Sequence, residues 1–200
     1  MAIGSLDKAG RLDQLRTLAR VQVWSGYLSD DEVRTDVLAA VSDEESDPAT
    51  AERLTEEFVE QAHTELAEAA QQWPAQTAYD RLQSAFADLR ARDVVVLEAC
   101  DDHWAANDVL TAAAERGASP AGIAYFTHAD VWHAVEHGML ELNVWHGSSA
   151  NVAPGDALLV LVQETLAGHG IASLFDEGRI EVSLAWERRP HTHRDATSPE

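Results

Sequence analysis

Apolar residues recur at every third or fourth position through the first half of the chain, which is the spacing of amphipathic α-helices. A first helix is predicted over residues 6–23, where leucines alternate with arginines and aspartates. Ser29 followed by Glu32 is a capping-box pattern, in which the hydroxyl and the carboxylate each accept a hydrogen bond from a backbone N–H group. A second helix is therefore predicted to begin there.

The third predicted helix begins with Asp47 as its N-cap and Pro48 at the first helical position, where a missing N–H group is harmless. Its apolar positions continue to Trp73, which makes it the longest of the series. Thr77 caps a fourth helix that runs to about Arg92. The first half of the chain is thus predicted to contain four helices and no strand.

The hydrophobic pattern changes at Val94, where short β-branched runs and alternating positions begin to mix with helical segments. The predicted strands are 94–97, 122–126, 140–144, 171–175 and 179–186. The predicted helices between them are 108–116, 127–137 and 156–167. Asp176, Glu177 and Gly178 form a short turn, so the last two strands are expected to pair as an antiparallel hairpin.

Strands that alternate with helices and then close in a hairpin indicate an α+β (mixed α/β) fold. We expect an N-terminal helical region of about four helices, residues 1–92, packed on a C-terminal mixed sheet of about five strands, residues 93–189. Residues 190–200 carry no apolar pattern and are predicted to be a disordered tail. The link between the halves is only RARD, which is too short and too poor in glycine and proline for a flexible linker, so one compact unit is expected.

Acidic residues greatly outnumber basic ones: 35 Asp and Glu stand against 14 Lys and Arg, for a formal charge of −21. Such a charge repels nucleic-acid phosphates and anionic membranes over a Debye length of about 10 Å. Nucleic acids and membranes are therefore not expected as partners, whereas a basic protein is favoured. Solubility alone is the other explanation of the same charge.

The compartment expected from the sequence is the cytoplasm. Cys100 is the only cysteine, which excludes an intramolecular disulfide and suits a reducing environment. The opening residues MAIGSLDKAG contain no apolar core of a signal peptide. No stretch approaches the roughly 18 consecutive apolar residues of a membrane span. Neither export nor membrane insertion is expected.

The densest group of potential metal ligands lies in the segment HADVWHAVEHG. On a helix, Asp130, His133 and His137 fall at positions i, i+3 and i+7, and the two histidines have the i, i+4 spacing with which a helix can bind zinc. They are candidate ligands for a divalent metal such as zinc. Without a metal, Thr127 and Asp130 form a capping box, and the histidines suit the partly negative C-terminal end of the helix. The second interpretation is preferred, so no cofactor is expected.

Further polar candidates lie at the ends of predicted strands, where α/β sheets often bind ligands. Asp101, Asp102 and His103 follow the first strand, and His146 follows the third. The two aspartates also suit the cap of the helix that comes next. A nucleophilic pair of Cys100 and His103 is the least favoured interpretation, since a buried cysteine beside a strand is commonly inert.

Trp24 lies in the predicted loop WSGYLSDDE and is a candidate contact residue for a partner. Catalytic signatures are missing, because the sequence contains no GxxxxGK[ST] loop, no GxGxxG after a strand and no GxSxG elbow. Nucleotide-triphosphate chemistry and α/β-hydrolase chemistry therefore lose their usual support.

Four stretches of the chain, in one order, resemble a bacterial protein family known only as a domain of unknown function. They are WSGYLSDDEV (24–33), YDRLQSAFADLRAR (79–92), GIAYFTHADVWHAVEHG (122–138) and GRIEVSLAWERR (178–189). The resemblance spans most of the chain, and it implies a shared fold and a cytosolic setting.

The chain departs from that family around the histidine-rich helix, where the family pattern resembles FxHxQDxxxA. It has Thr127 and Ala129 in place of the histidine and the glutamine, and only Asp130 and Ala134 match. His128 is displaced by one residue from the histidine position. The resemblance therefore transfers no functional residue, and it argues against a metal site common to the family.

Three functions are carried forward, in order of preference. The first is an acidic cytosolic protein-interaction or regulatory protein, of which an inhibitor or immunity-type protein against a basic partner is one form. The second is a metal-assisted hydrolase built on Asp130, His133 and His137. The third is a small-molecule-binding domain with its pocket at the strand ends. A binding protein is preferred to an enzyme because no catalytic constellation is recognisable.

Overall fold

A computed structural model describes residues 8–190 of the chain. Its first four elements are the helices α1 (Lys8–Ser25), α2 (Asp30–Glu44), α3 (Pro48–Ala70) and α4 (Ala78–Arg90). The described residues before Val94 contain no strand, which confirms the prediction of an all-helical first half. The predicted tail lies outside the described residues, apart from its first residue, Pro190.

Local capping signals set where these helices begin. The Ser29 hydroxyl accepts a hydrogen bond from the Glu32 N–H group at 3.3 Å, and the Glu32 carboxylate accepts one from the Ser29 N–H group at 2.8 Å. The Asp47 carboxylate accepts from the Thr50 N–H group at 3.0 Å, directly before Pro48. The caps predicted for α2 and α3 are thus confirmed, because each satisfies N–H groups that the helix itself leaves without partners.

The remaining elements alternate between strands and helices. They are β1 (Val94–Cys100), α5 (His103–Glu115), β2 (Gly122–Thr127), α6 (His128–His137), β3 (Met139–His146), α7 (Ala157–Gly168), β4 (Ala172–Asp176) and β5 (Arg179–Ser183). The five strands form one sheet in the order β1-β2-β3-β5-β4. Only β1 and β2 are parallel, and β4 and β5 form the expected antiparallel hairpin. The predicted mixed α/β fold class is therefore confirmed.

Helices cover the two faces of this sheet unequally. One face packs against α4 and α7, where Phe86 stacks on Phe126 with their ring centroids 6.1 Å apart. The other face packs against α5 at β1 and β2, where Leu110 lies in a cluster with Ile123 and Tyr125. Helix α6 also contacts the sheet, at β1, β2 and β3. On that second face, residues of β4 and β5 such as Leu174 and Arg179 are exposed.

Several element boundaries differ from the sequence prediction, and β1, predicted to end at Leu97, continues to Cys100. α5 begins at His103 and not near Asp108, because the Asp102 carboxylate accepts hydrogen bonds from the N–H groups of residues 104 and 105 and starts the helix early. β5 ends at Ser183 and not at Trp186. Ser183 is opposite the first residue of β3 and also the first residue of β4. Neither neighbouring strand extends far enough to pair with the residues that follow Ser183.

Contacts divide the chain into two compact units. Among the described residues, the helical unit comprises 8–73 and 188–190, and the sheet unit comprises 74–187. This division places α4 with the sheet, whereas the hydrophobic pattern placed the boundary after residue 92. The expectation that the whole chain forms one compact unit stays a prediction.

The helical unit is completed by residues from the far end of the described chain. The Arg188 guanidinium donates to the carbonyl of Ser25, the last residue of α1, at 3.0 Å, and Arg189 donates to that of Ala70, the last residue of α3, at 3.2 Å. Both arginines therefore cap helix C-termini, where carbonyl groups lack helical partners and the helix dipole favours a cation. Gly26 is required beside this contact, since it has a φ of +69° and a Cβ atom there would lie 2.9 Å from Arg188 Nε.

Candidate functional site

Asp130, the central residue of the predicted metal cluster, is the capping residue of α6. Its carboxylate accepts hydrogen bonds from the Thr127 N–H group at 2.7 Å and the Thr127 hydroxyl at 2.8 Å. The Thr127 hydroxyl in turn accepts from the Asp130 N–H group at 3.4 Å, which completes a capping box. The family aspartate at this position therefore has a structural role, and its carboxylate is turned towards the start of its own helix.

His133 and His137 pack on an exposed tryptophan. The Trp132 indole is 38% exposed, and its ring centroid lies 5.3 Å from the ring of each histidine. The two imidazole centroids are 6.0 Å apart, and the His133 Nδ1 atom is buried without a hydrogen-bond partner in the described structure. Within residues 8–190, no group of three or more His, Cys, Asp and Glu side chains converges in a way that would hold a metal ion.

The carboxyl end of β1 contains a bulge that decides where Cys100 lies. Leu97 is opposite Tyr125 and Cys100 is opposite Thr127, so two residues of β1 face one residue of β2. The second of these, Ala99, has a φ of +48°. Because side chains alternate along a strand, the extra residue moves the Cys100 side chain from the α4 face of the sheet to the α5 face.

Cys100 is not an activated nucleophile. Its Sγ atom lies 3.4 Å from the carbonyl oxygens of Asp102 and Phe126. Burial raises the pKa of the Cys100 thiol, and the neighbouring carboxylates, Asp130 foremost, raise it further. Burial likewise raises the pKa of Tyr125 to about 12. Both groups are protonated at neutral pH, so neither supplies a nucleophile or a base at this end of the sheet.

Asp101, Asp102 and His103 do not converge on a ligand site. The Asp102 carboxylate accepts from the N–H groups of Trp104 and Ala105 at 2.8 and 3.1 Å, as the N-cap of α5. His103 is the first residue of that helix, and its ring packs on Trp104, with the centroids 4.7 Å apart. Both Asp101 and His103 are exposed. The capping interpretation of Asp102 is thus the one that the structure bears out.

His146 pairs with a carboxylate that the sequence analysis did not connect to it. Its Nε2 atom lies 2.9 Å from the Asp156 carboxylate, which also accepts from the Ala153 N–H group at 2.7 Å. These two hydrogen bonds, the backbone one foremost, lower the pKa of Asp156. The pair joins the end of β3 to the start of α7, and the carboxylate is held in its charged form.

Trp24 lies in the last turn of α1 and not in the predicted loop. Its indole N–H donates to the Ala62 carbonyl at 3.3 Å, and its ring meets Trp73 edge to face at 6.4 Å between centroids. The Arg20 guanidinium lies over the other side of the ring, 4.6 Å from its centroid. This candidate contact residue is therefore part of the packing between α1 and α3.

One strongly charged surface of the helical unit is the exposed side of α3, which the sequence analysis did not single out. This helix carries six glutamates and one arginine. Three glutamates have cationic partners in the described structure: Glu56 with Arg34, Glu57 with Arg53, and Glu65 with Arg20. The other three are exposed, and no ion pair is found for them among residues 8–190. We call these three residues the acidic row: Glu52, Glu60 and Glu68.

Two shallow clefts flank α3 in the helical unit. The first, between α1 and α3, has a volume of about 170 Å³ and is lined by Asp13, Arg16, Arg20, Phe58, Gln61 and Glu65. The second, between α2 and α3, has a volume of about 140 Å³ and is lined by Arg34, Thr35, Leu38, Glu52, Thr55 and Glu56. Both are smaller than the roughly 300 Å³ at which small-molecule pockets begin.

Comparison with known proteins agrees with the resemblance seen in the sequence. No curated protein and no solved structure matches the chain. No helix within residues 8–190 has both the length and the apolar character that crossing a membrane requires. A family model described as a domain of unknown function (DUF6891) matches residues 8–190. Because the match covers almost the whole chain, this protein belongs to the DUF6891 family.

Proposed function

We propose that this chain is a protein-interaction protein that binds a basic partner protein through the exposed side of α3. The observation that carries the proposal is the acidic row, three exposed glutamates of one helix without ion-pair partners among the described residues. They are eight residues apart, so each step is about 12 Å along the helix axis and about 80° around it, and the row crosses the exposed side of α3 diagonally over about 24 Å of its length. A helix or strand of a partner would match that length.

The placement of these charges supports binding more than it supports stability. Glu52, Glu56 and Glu60 follow each other at i, i+4 spacing, and like charges at that spacing destabilise a helix by a few tenths of a kcal/mol per pair. Only the middle one of the three is neutralised, by Arg34 at 3.3 Å. A basic partner would remove the remaining repulsion, and its attraction would speed association at low salt.

The setting that we propose is the cytoplasm of a bacterium, as the family resemblance implies. Cys100 is a free and buried thiol, which suits a reducing compartment. In that setting, an inhibitor or immunity-type protein that covers the active surface of a basic enzyme is one form of the proposed function. A metal-assisted hydrolase is not proposed, because Asp130 and the two histidines of α6 do not converge.

The experiment compares two triple variants that change net charge by the same amount. Glu52→Gln, Glu60→Gln and Glu68→Gln together neutralise the acidic row, whereas Asp108→Asn, Glu115→Gln and Glu164→Gln neutralise three exposed acids of the sheet unit. The probe is a lysine-rich helical peptide of about 20 residues, long enough to span the row. Its Kd is measured by fluorescence anisotropy at low salt, and circular dichroism checks that both variants are folded.

We expect the acidic-row variant to bind the peptide about tenfold more weakly, since three exposed charge contacts each contribute about 0.5 kcal/mol. The matched sheet-unit variant is expected to change Kd by less than twofold. An equal loss in both variants would mean that the peptide senses only the net charge of −21, and the acidic row would then have no special role.

A further inference from the structure

Strand β4 leaves one edge of the sheet open. Asp176 and Arg179 close the hairpin around the two-residue turn Glu177-Gly178, so they form a hydrogen-bonded pair, and such pairs then alternate along the ladder. The backbone N–H and C=O groups of Leu174 and Ala172 therefore point towards β5 and form hydrogen bonds with it. The N–H and C=O groups of Ser173 and Phe175 point to the other side, where the described residues contain no further strand.

This edge lacks several of the features with which proteins usually protect an edge strand, and the only charged residue of β4 is Asp176 at its end. β4 contains no proline and no lysine, and its five residues pair with β5 in unbroken register without a bulge. At its centre, the Leu174 side chain is 62% exposed. An exposed leucine flanked by unpaired backbone groups is the arrangement that accepts an added strand.

Charge on the adjacent sheet surface selects what kind of strand can be added. Leu174 is opposite Glu181, and Asp176 lies on the same face two residues along β4. The nearby Arg179 guanidinium is paired with Glu141. Leu174 thus lies among carboxylates, and the nearby cation Arg179 is already paired, so a basic strand would complement this surface.

We propose that β4 binds an extended basic segment of a partner protein by strand addition. On the exposed face, an apolar residue of that segment covers Leu174, and lysine or arginine two residues away reaches Asp176. A second copy of this chain is disfavoured as the occupant, because two molecules of charge −21 repel each other and would bring carboxylates together. The inference rests on the proposed function for the basic character of the partner, but it uses a different surface on the sheet unit.

The probe is a short synthetic peptide, TKTVTKT with blocked ends, which presents lysine and valine on one face of a strand. It is titrated into the isotope-labelled full chain, and the backbone amides are followed by NMR. We expect the N–H groups of Ser173 and Phe175 to shift and to exchange with solvent at least tenfold more slowly. The N–H group of Leu174 already faces β5, so its exchange is expected to change less. Methylation of the peptide nitrogens that face β4 is expected to abolish the effect.

Two variants test the side-chain part of the proposal. Leu174→Lys places a cation at the centre of the edge, and Val160→Lys makes the same change at another exposed apolar residue, 42% exposed on α7. We expect the first variant to weaken peptide binding at least tenfold and the second to change it less than twofold. Amides of residues 173 and 175 that do not respond at millimolar peptide would overturn the proposal, as would equal effects of the two lysines.

The failure of this inference can be told apart from failure of the proposed function. The acidic-row variant is expected to bind TKTVTKT with unchanged affinity, because its substitutions lie in the helical unit. Loss of binding in that variant, with normal binding by Leu174→Lys, would place the basic segment on α3 and refute strand addition. If the protein self-associates without peptide and Leu174→Lys abolishes that self-association, a second copy of the chain is the occupant of the β4 edge. That result would also refute the proposal of a basic partner segment.

Discussion

Ala99 shows how a single backbone angle determines which side chains meet. Its φ of +48° lies in the left-handed region, which costs a residue other than glycine about 1–2 kcal/mol. The bulge that it forms leaves Glu98 on the α4 side of the sheet, where Gln83 donates to it at 2.6 Å and Arg90 at 2.8 Å. It also turns Cys100 to the opposite face. The strain is thus balanced by a hydrogen-bonded carboxylate on one face and a buried thiol on the other.

The first prediction concerns this angle. Ala99→Val is expected to lower the free energy of unfolding by about 2 kcal/mol or more, because a β-branched side chain does not fit the left-handed region. The control, Ala99→Gly, relieves the strain but raises the conformational entropy of the unfolded chain. Its free energy of unfolding is therefore expected to stay within about 1 kcal/mol of that of the parent protein. Urea unfolding followed by circular dichroism measures both. A valine variant as stable as the parent would show that the bulge is not rigidly held.

At this scale the sequence could identify candidate groups but not their partners. Asp130 was compatible both with a cap, which was the preferred interpretation, and with a metal ligand, because both roles need a carboxylate near a helix start. The choice depends on distances to residues of other elements. His146 illustrates the same limit, since its partner Asp156 lies ten residues away beyond a loop whose path the sequence does not specify.

Among the helices, α4 has the most completely satisfied N-terminus in the sheet unit. The Thr77 hydroxyl, which is buried, accepts from the Asp80 N–H group at 3.1 Å, and the Asp80 carboxylate accepts from the Thr77 N–H group at 2.8 Å. The Glu187 carboxylate accepts from the Ala78 N–H group at 3.1 Å. Two carboxylates therefore lie at the positive end of the helix dipole, which stabilises the helix that packs on β1.

The second prediction tests this cap. Thr77→Ala is expected to lower the free energy of unfolding by about 1–2 kcal/mol, because it leaves the partly buried Asp80 N–H group without an acceptor. Thr77→Ser keeps the hydroxyl and is expected to cost less than about 0.5 kcal/mol. Chemical denaturation of the two variants, side by side, measures the difference. Equal losses in both would point to the packing of the threonine methyl group and not to the hydrogen bond.

Element positions were predicted well where the signal is local. The caps at Ser29, Asp47 and Thr77 act on residues within one turn, so the helix starts could be read from four-residue patterns. The start of α5 was missed because its apolar spacing becomes clear only after its first turn. Strand order and the bulge in β1 could not be predicted, since both depend on which strands become neighbours in the folded sheet.

The whole molecule carries a charge of −21, and much of it is not compensated locally. On α3, three of six glutamates have no ion pair in the described structure. Self-repulsion of this kind destabilises the compact state and weakens as salt shortens the Debye length. The acidic composition was visible in the sequence, but which glutamates of α3 are exposed without an ion pair depends on the packing of α3 against α1 and α2.

The third prediction concerns this repulsion. Raising KCl from about 0.02 M to about 0.5 M is expected to raise Tm by about 3 °C, because the Debye length falls well below the spacing of the acidic row. The variant with glutamine at residues 52, 60 and 68 is expected to show a smaller rise. Differential scanning calorimetry measures both. A Tm that falls with salt would mean that ion pairs such as Arg90–Glu98 contribute more than the repulsion does.

The return of the chain to the helical unit has a consequence for biosynthesis. Arg188 and Arg189 reach Ser25 and Ala70, so these helix ends receive their caps only after the whole sheet unit has been translated. During synthesis on the ribosome, the C-terminal ends of α1 and α3 therefore lack these caps until more than a hundred intervening residues have emerged. In translation order, these caps are the last of the described contacts of the helical unit that can form.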